Sequence, residues 1–190
     1  MPDNKKMVEI RHFKMSFGDK TVIKDLSFDV FRGEVFGFLG SNGSGKTTTL
    51  RALLGLYQPT AGDLLINGKP YSVESQIRLG YLPEERGLYK KEKVLDVMLY
   101  FGQLKGLSRK EAKDFSMKFL ERVNLSDKAN TQLDKLSGGQ QQKIQLGVTI
   151  MGDPELLIMD EPAKGFDPVN RRLLMNIIEE QRKAGATIIY

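Results

Sequence analysis

Eight consecutive residues, Gly40-Ser41-Asn42-Gly43-Ser44-Gly45-Lys46-Thr47, satisfy the pattern G-x-x-x-x-G-K-[ST], and the chemistry they could do is to hold a polyphosphate. Glycines let the backbone curl until successive N–H groups converge on one anion, and a helix starting at the end of the loop adds its positive N-terminal end. Lys46 can reach the β- and γ-phosphates of a nucleotide, and Thr47 offers a hydroxyl to Mg²⁺. An apolar run from Val35 to Leu39 enters the loop and a helix-like stretch leaves it, the context that such a match requires. Alone, the loop leaves kinases, GTPases and many ATPases open.

A second constellation narrows the choice. Leu156-Leu157-Ile158-Met159-Asp160-Glu161 places two acids at the end of an apolar run. A buried strand there delivers Asp160 to the carboxyl edge of a sheet beside the phosphate loop, where it can hold Mg²⁺ through water. Glu161, one residue further, is placed to polarise an attacking water. The third element is Leu136-Ser137-Gly138-Gly139-Gln140, followed by a stretch to Met151 whose apolar residues suit a buried helix. Ser137 is a natural N-cap, and two glycines at a helix start expose backbone N–H groups to an anion.

The elements that must position these residues are legible in outline. Strand signals cover Val8–Phe13, Thr21–Val30, Glu34–Leu39 and Asp63–Asn67, separated by turns at Gly18-Asp19, Arg32-Gly33 and Asn67-Gly68. Near Lys93 the period becomes helical, with Val94, Val97, Met98 and Phe101 on one face, then Ala112, Phe115, Phe119 and Val123 on the next. Ser108 with Glu111 forms a capping box that starts the second of these helices. A strand from Leu156, a helix over Pro168–Ala184 closed by Gly185, and a strand over Ala186–Tyr190 imply a parallel sheet.

Composition sets the outer bounds. The 190 residues suffice for one domain with a substantial core. Zero cysteines exclude a disulfide framework, a thiolate metal site and a thiol nucleophile. The start, Met1 to Lys6, is polar, and no apolar run approaches the roughly 18 residues that span a bilayer. A net charge of +5 is spread along the chain, so we draw no partner from it, and nucleic acid is not expected as one. Its densest cluster, Lys90, Lys91 and Lys93, reads as a solvated face.

Together the three motifs resemble the nucleotide-binding domain of the ATP-binding cassette family over essentially the whole chain. Gly40–Thr47 resembles that family's Walker A, Leu136–Gln140 its LSGGQ signature and Leu156–Glu161 its Walker B, in the same order and roughly 90 and 20 residues apart. The resemblance implies a P-loop α/β core with a mixed sheet, an N-terminal antiparallel β subdomain and an inserted helical subdomain at about 92–152, all in one domain of 1–190. It implies ATP and Mg²⁺ as ligands. The phosphate-side residues would be Gly40, Ser41, Asn42, Gly43, Ser44, Gly45, Lys46 and Thr47, with Thr48 at the α-phosphate, Phe17 stacking on adenine and Val22 packing nearby. Thr47, Glu84 and Asp160 would serve the metal, and Glu161 would be catalytic. The family pairs two such domains head to tail, as homodimer or heterodimer, so Ser137, Gly138, Gly139 and Gln140 of one copy would close over nucleotide held by the other. A separate transmembrane permease would be the second partner, with the chain peripheral at the cytoplasmic face of the cell membrane.

Several positions depart from the family pattern. Glu84, in Tyr81-Leu82-Pro83-Glu84-Glu85, stands where Gln is usual, and the stretch Tyr81 to Tyr89 is similar to the subfamily that serves sodium and drug exporters. In the segment Pro162–Asp167, which resembles the D-loop, Lys164 stands where Ser is common and Phe166 where Leu is common. Lys164 could pair with the opposite copy or with phosphate, or be merely solvated. The family's γ-phosphate histidine would follow Tyr190 and is not in this sequence, and His12, the only histidine, lies in an N-terminal strand. The chain is accordingly expected to be cut short of its C-terminal elements. Two further readings stay open: a nucleotide-binding module with little turnover, and a cassette ATPase outside transport, of the chromosome-maintenance or translation-factor kind.

Overall fold

Alternating apolar and polar side chains between Lys6 and Phe31 build a long hairpin, which a third strand completes as a sheet. In the computed structural model, which describes residues 5–72, 75–85 and 87–190, β1 (Lys6–Phe17) pairs antiparallel with β2 (Lys20–Phe31) on one side and with β4 (Ala61–Ile66) on the other. Both strands of the hairpin are longer than the apolar patterning predicts. The register shifts at several points along β1, and at one of them His12 takes φ 46 and Phe13 turns inward beside Ile10 and Met15. Met1–Asn4, Val73, Glu74 and Arg86, the last within the Tyr81–Tyr89 stretch, lie outside the described residues.

The second sheet is parallel, in the order β3 (Val35–Phe36), β7 (Thr187–Ile189), β6 (Leu156–Met159), β5 (Leu79–Leu82). The expected mixed sheet is thus resolved into two sheets, one antiparallel and one parallel. Both edges of β1 are taken by antiparallel neighbours, and the crossover helix α5 (Pro168–Lys183) fixes β6 and β7 parallel. β3 is shorter than the expected Glu34–Leu39, because it pairs only with β7 and only at Val35 and Phe36. β5 was not anticipated as a strand.

β6 is buried at all four positions, and its side chains alternate between two cores. Leu156 and Ile158 join the core under the antiparallel sheet and α1 (Lys46–Leu53), with Phe13, Ile23 and Leu53. Leu157 and Met159 join the opposite core, where α2 (Val94–Leu104), α3 (Arg109–Arg122), α4 (Gly138–Ile150) and α5 contribute Met98, Leu120, Ile144 and Ile177. The parallel sheet is therefore a wall with a core on each face.

Helix ends follow the sequence closely. At α3 the Glu111 N–H donates to Ser108 Oγ at 3.2 Å and the Ser108 N–H to Glu111 Oε2 at 2.8 Å. Asp167 caps α5 by accepting from the Asn170 N–H at 2.8 Å, with Pro168 in the first turn. The C-terminal end of α4 is closed from outside: Lys105 Nζ, just beyond α2, donates to the carbonyls of Val148, Thr149 and Met151 at 2.6, 2.8 and 3.0 Å. Burial draws the Lys105 ammonium down to about 8, while the helix dipole and the carbonyls favour the charged form. Lys105→Met keeps the apolar stem and leaves those carbonyls unanswered. It is expected to cost roughly 1–3 kcal/mol, read as a lower urea midpoint at unchanged slope.

Candidate functional site

The parallel sheet brings two loops to one edge. The chain leaving β3 forms the loop 40–45, and the chain leaving β6 begins with Asp160, one strand away across β7. Ligands of open parallel sheets bind at this carboxyl edge. The loop is built from close approaches. A Cβ on Gly40 would stand 2.5 Å from Ser44 Oγ, and one on Gly45 would stand 2.9 Å from Ile23 Cγ1. Gly45 also takes φ 95 as the N-cap of α1, and no side chain caps that helix. The first N–H groups of α1 are therefore left for an anion. Lys46 Nζ lies over the loop, donating to the carbonyls of Gly40 at 2.7 Å and Ser41 at 3.2 Å.

These residues line an open cleft of about 480 Å³. Asn42, Gly43, Gly45, Lys46, Thr47 and Thr48 form its floor; Lys20, Thr21 and Val22 come from the hairpin; Glu84, Glu161 and Lys164 form the opposite wall. Lys20 and Thr21 were not singled out in the sequence. Phe17 does not line the cleft: it is 46% exposed at the end of β1, and its ring meets Tyr57 edge-on at 5.5 Å. Val22, the other expected base-side residue, does line it.

The two acids are separated by their surroundings. Asp160 is 2% exposed and its Oδ2 has no hydrogen-bond partner among the described residues. Burial holds its carboxyl above the usual range; the Thr47 hydroxyl beside it pulls the other way, and Glu84 and Glu161 nearby add to the rise. Glu161 takes φ 50, a left-handed backbone that an L residue rarely adopts, and lines the cleft. Consecutive carboxylates thus meet different environments, one behind the phosphate loop and one in the cleft.

A buried, unpartnered carboxylate oxygen beside a hydroxyl fits a hard divalent cation. Among the described residues no three carboxylate or imidazole side chains converge as a ready-made metal cage. Thr47, Glu84 and Asp160 offer one hydroxyl and two carboxylates, a donor set that suits an ion such as Mg²⁺, which takes one or two protein carboxylates and completes its shell with phosphate and water.

Glu84 is engaged by Lys164. The Lys164 ammonium hydrogen-bonds Glu84 Oε1 and lies 4.0 Å from Glu161 Oε2. This contact holds the Glu84 carboxyl below its usual range, with Arg51 and Lys46 contributing. Arg51, on α1, also escaped sequence reading: it donates to the Tyr57 hydroxyl at 3.2 Å and reaches Glu85 at 3.5 Å. Its only signal was a basic residue in the last turn of the helix that the phosphate loop opens.

The signature residues stand apart from the cleft. Ser137 caps α4 in a reciprocal box, accepting from the Gln140 N–H at 3.3 Å while its own N–H donates to Gln140 Oε1 at 2.9 Å. A Cβ on Gly139 would meet nothing within 4 Å. His12 is likewise remote in role, its exposed ring 3.3 Å from Asp25.

Comparison with known proteins agrees with this arrangement. The family model described as ABC transporter matches residues 23–164. An uncharacterized ABC transporter ATP-binding protein of Methanocaldococcus jannaschii is 43% identical, over 97% of this chain and 67% of its own length. A Nod factor export ATP-binding protein of Cupriavidus pinatubonensis is 37% identical over 96% of this chain and 57% of its own, and the linearmycin resistance ATP-binding protein of Bacillus subtilis is 34% identical over 97% and 60%. The chain thus spans about two thirds or less of the length of these relatives. A solved structure of the ATP-binding subunit of an ABC transporter superposes with a TM-score of 0.84 at 28% identity, covering 96% of this chain and 78% of that one. With its loop, acid-tipped strand and capped glycine pair in the order that this fold requires, the chain belongs to the ABC transporter family, on the ATP-binding side.

Proposed function

We propose that the chain binds MgATP in the cleft and, within the longer protein that its relatives exemplify, hydrolyses it to drive a separate membrane permease. The observation that carries this reading is the buried Asp160 carboxylate, unpartnered at Oδ2 and set against the Thr47 hydroxyl at the start of the phosphate-loop helix. Lys46 and the amides at the start of α1 take the β- and γ-phosphate charge, and Thr48 the α-phosphate. Thr47 and Asp160 hold Mg²⁺, with Glu84 as a further oxygen donor; when bound, the ion offsets the charge that builds up on the phosphates. Val22 supports the base at the hairpin end of the cleft, and Phe17 stacks on it by leaving its edge contact with Tyr57. Glu161 accepts the proton of the attacking water.

Residues 1–190 act as one ATP-binding domain, with the helices of 92–152 as its signature subdomain. The start of α4, with Ser137 exposed and Gly138, Gly139 and Gln140 partly so, supports a second nucleotide-binding domain docked head to tail. Among the described residues no helix is long and apolar enough to cross a membrane, which fits a membrane path supplied by another chain. The export named for the Cupriavidus protein supports an outward direction of transport and a place at the cytoplasmic face of the membrane.

Glu161→Gln in the full-length protein is expected to keep ATP affinity within about threefold and to lower hydrolysis at least 100-fold. Retained phosphate release would refute the role given to Glu161. The two glycine sites separate binding from assembly. Gly45→Ala forces both a strained φ and a clash with Ile23, so ATP binding measured by calorimetry should be lost. Gly139→Ala meets no obstacle within the chain, so affinity of the single copy should hold while ATP-dependent dimerisation, followed by sedimentation, weakens. Unchanged dimerisation would argue against the head-to-tail role of α4.

A further inference from the structure

We infer that Lys164 is a positioning residue whose ammonium serves as a built-in counter-charge for Glu84, holding that carboxylate against the wall of the cleft and sparing an incoming triphosphate its repulsion. The inference rests on the nucleotide reading above and adds a role that neither position has on its own. Glu84 follows β5 and Lys164 follows β6, and the parallel pairing of Leu82 with Met159 delivers both to one edge. The turn after β6 then aims the lysine. Its N–H donates to the Glu161 carbonyl at 3.0 Å, Gly165 takes φ 77, and Phe166 is buried among the helices two residues on, so the segment is anchored and Lys164 is left facing the cleft.

The pair has little to do with holding the fold. Lys164 keeps 60% of its side chain exposed and Glu84 33%, and ion pairs of such exposure contribute little to stability. Its consequence falls on the charge of the cleft wall, where Glu84 and Glu161 face the phosphate side and Lys164 touches the first and stands 4.0 Å from the second. The two departures from the family pattern, an added negative charge at Glu84 and an added positive charge at Lys164, cancel in sign. A carboxylate paired in this way can be handed from lysine to a divalent cation when nucleotide arrives, so Lys164 and the metal become alternative partners of one group.

A double-mutant cycle tests this on the purified chain, with ATP titrated calorimetrically once in EDTA and once in excess Mg²⁺. Lys164→Ser is expected to weaken metal-free ATP binding about tenfold. In the Glu84→Gln background the same change should cost less than about twofold, because no negative charge remains to be compensated. Mg²⁺ should shrink the single-variant loss, since the cation replaces the ammonium, and Lys164→Arg should bind ATP as the parent does. An equal loss from Lys164→Ser in both backgrounds, or no loss in either, would overturn the inference while leaving the nucleotide site intact. A parent chain that binds ATP under neither condition would refute the site, and the inference with it.

Discussion

Burial of β6 on both faces is the constraint from which the site follows. A strand walled in by two cores can carry only apolar residues, and Leu156 to Met159 satisfy both faces at once by alternating between them. The strand must then end where the cores end, so the first polar residue, Asp160, appears at the sheet edge and is still almost wholly buried. Its amide donates to the Leu82 carbonyl at 2.8 Å, which extends the pairing with β5 one step beyond the strand and fixes where the carboxylate begins. A carboxylate so placed is costly unless something compensates it. Thr47 and Arg51 compensate it partly, and its Oδ2 has no partner among the described residues.

The same edge gathers opposed charges within a short span. Lys46, Arg51 and Lys164 lie among Asp160, Glu84, Glu85 and Glu161; Arg51 answers Glu85 and Lys164 answers Glu84 from a different segment, while Lys164 and Glu161 share one turn. Such a balance suits a ligand that is itself strongly anionic and arrives with a cation. Lys164 is already paired with Glu84, so the positive charge left for an anion lies on the phosphate-loop side of the cleft. Lys46, bonded to the carbonyls of its own loop, has exchangeable partners in the same sense as Glu84.

What could be read from sequence was whatever depends on neighbours in the chain. The phosphate loop, the capping box of Ser108, the Ser137 cap, the Pro168 start of α5 and the apolar run of β6 are local patterns, and each lies where its pattern puts it. The failures are tertiary. β5 is a four-residue strand with Gly80 inside it, and it exists because β6 pairs with it and because a side chain at position 80 would strike the Thr149 carbonyl at 2.5 Å. The apolar stretch after Phe36 reads as strand but lacks a ladder, and Leu39 is 90% exposed on the way to the phosphate loop. The contact of Lys164 with Glu84 joins positions 80 apart through strand register, which one sequence does not display.

The geometry of α4 bears on why the cleft and the signature are separate. Of the N–H groups at a helix start, the capping box answers two, those of the cap residue and of the third helical residue, here Ser137 and Gln140. The groups left over belong to Gly138 and Gly139, and a Cβ at Gly139 would meet nothing within 4 Å. Ser137 Oγ accepts from the Gln140 N–H and keeps its own O–H to donate, so a hydroxyl and two main-chain amides are the donors this end can offer. None of these residues lines the cleft beside Lys46. Unanswered amides at a helix start suit an anion, so this end of α4 can serve a ligand other than one held by its own phosphate loop.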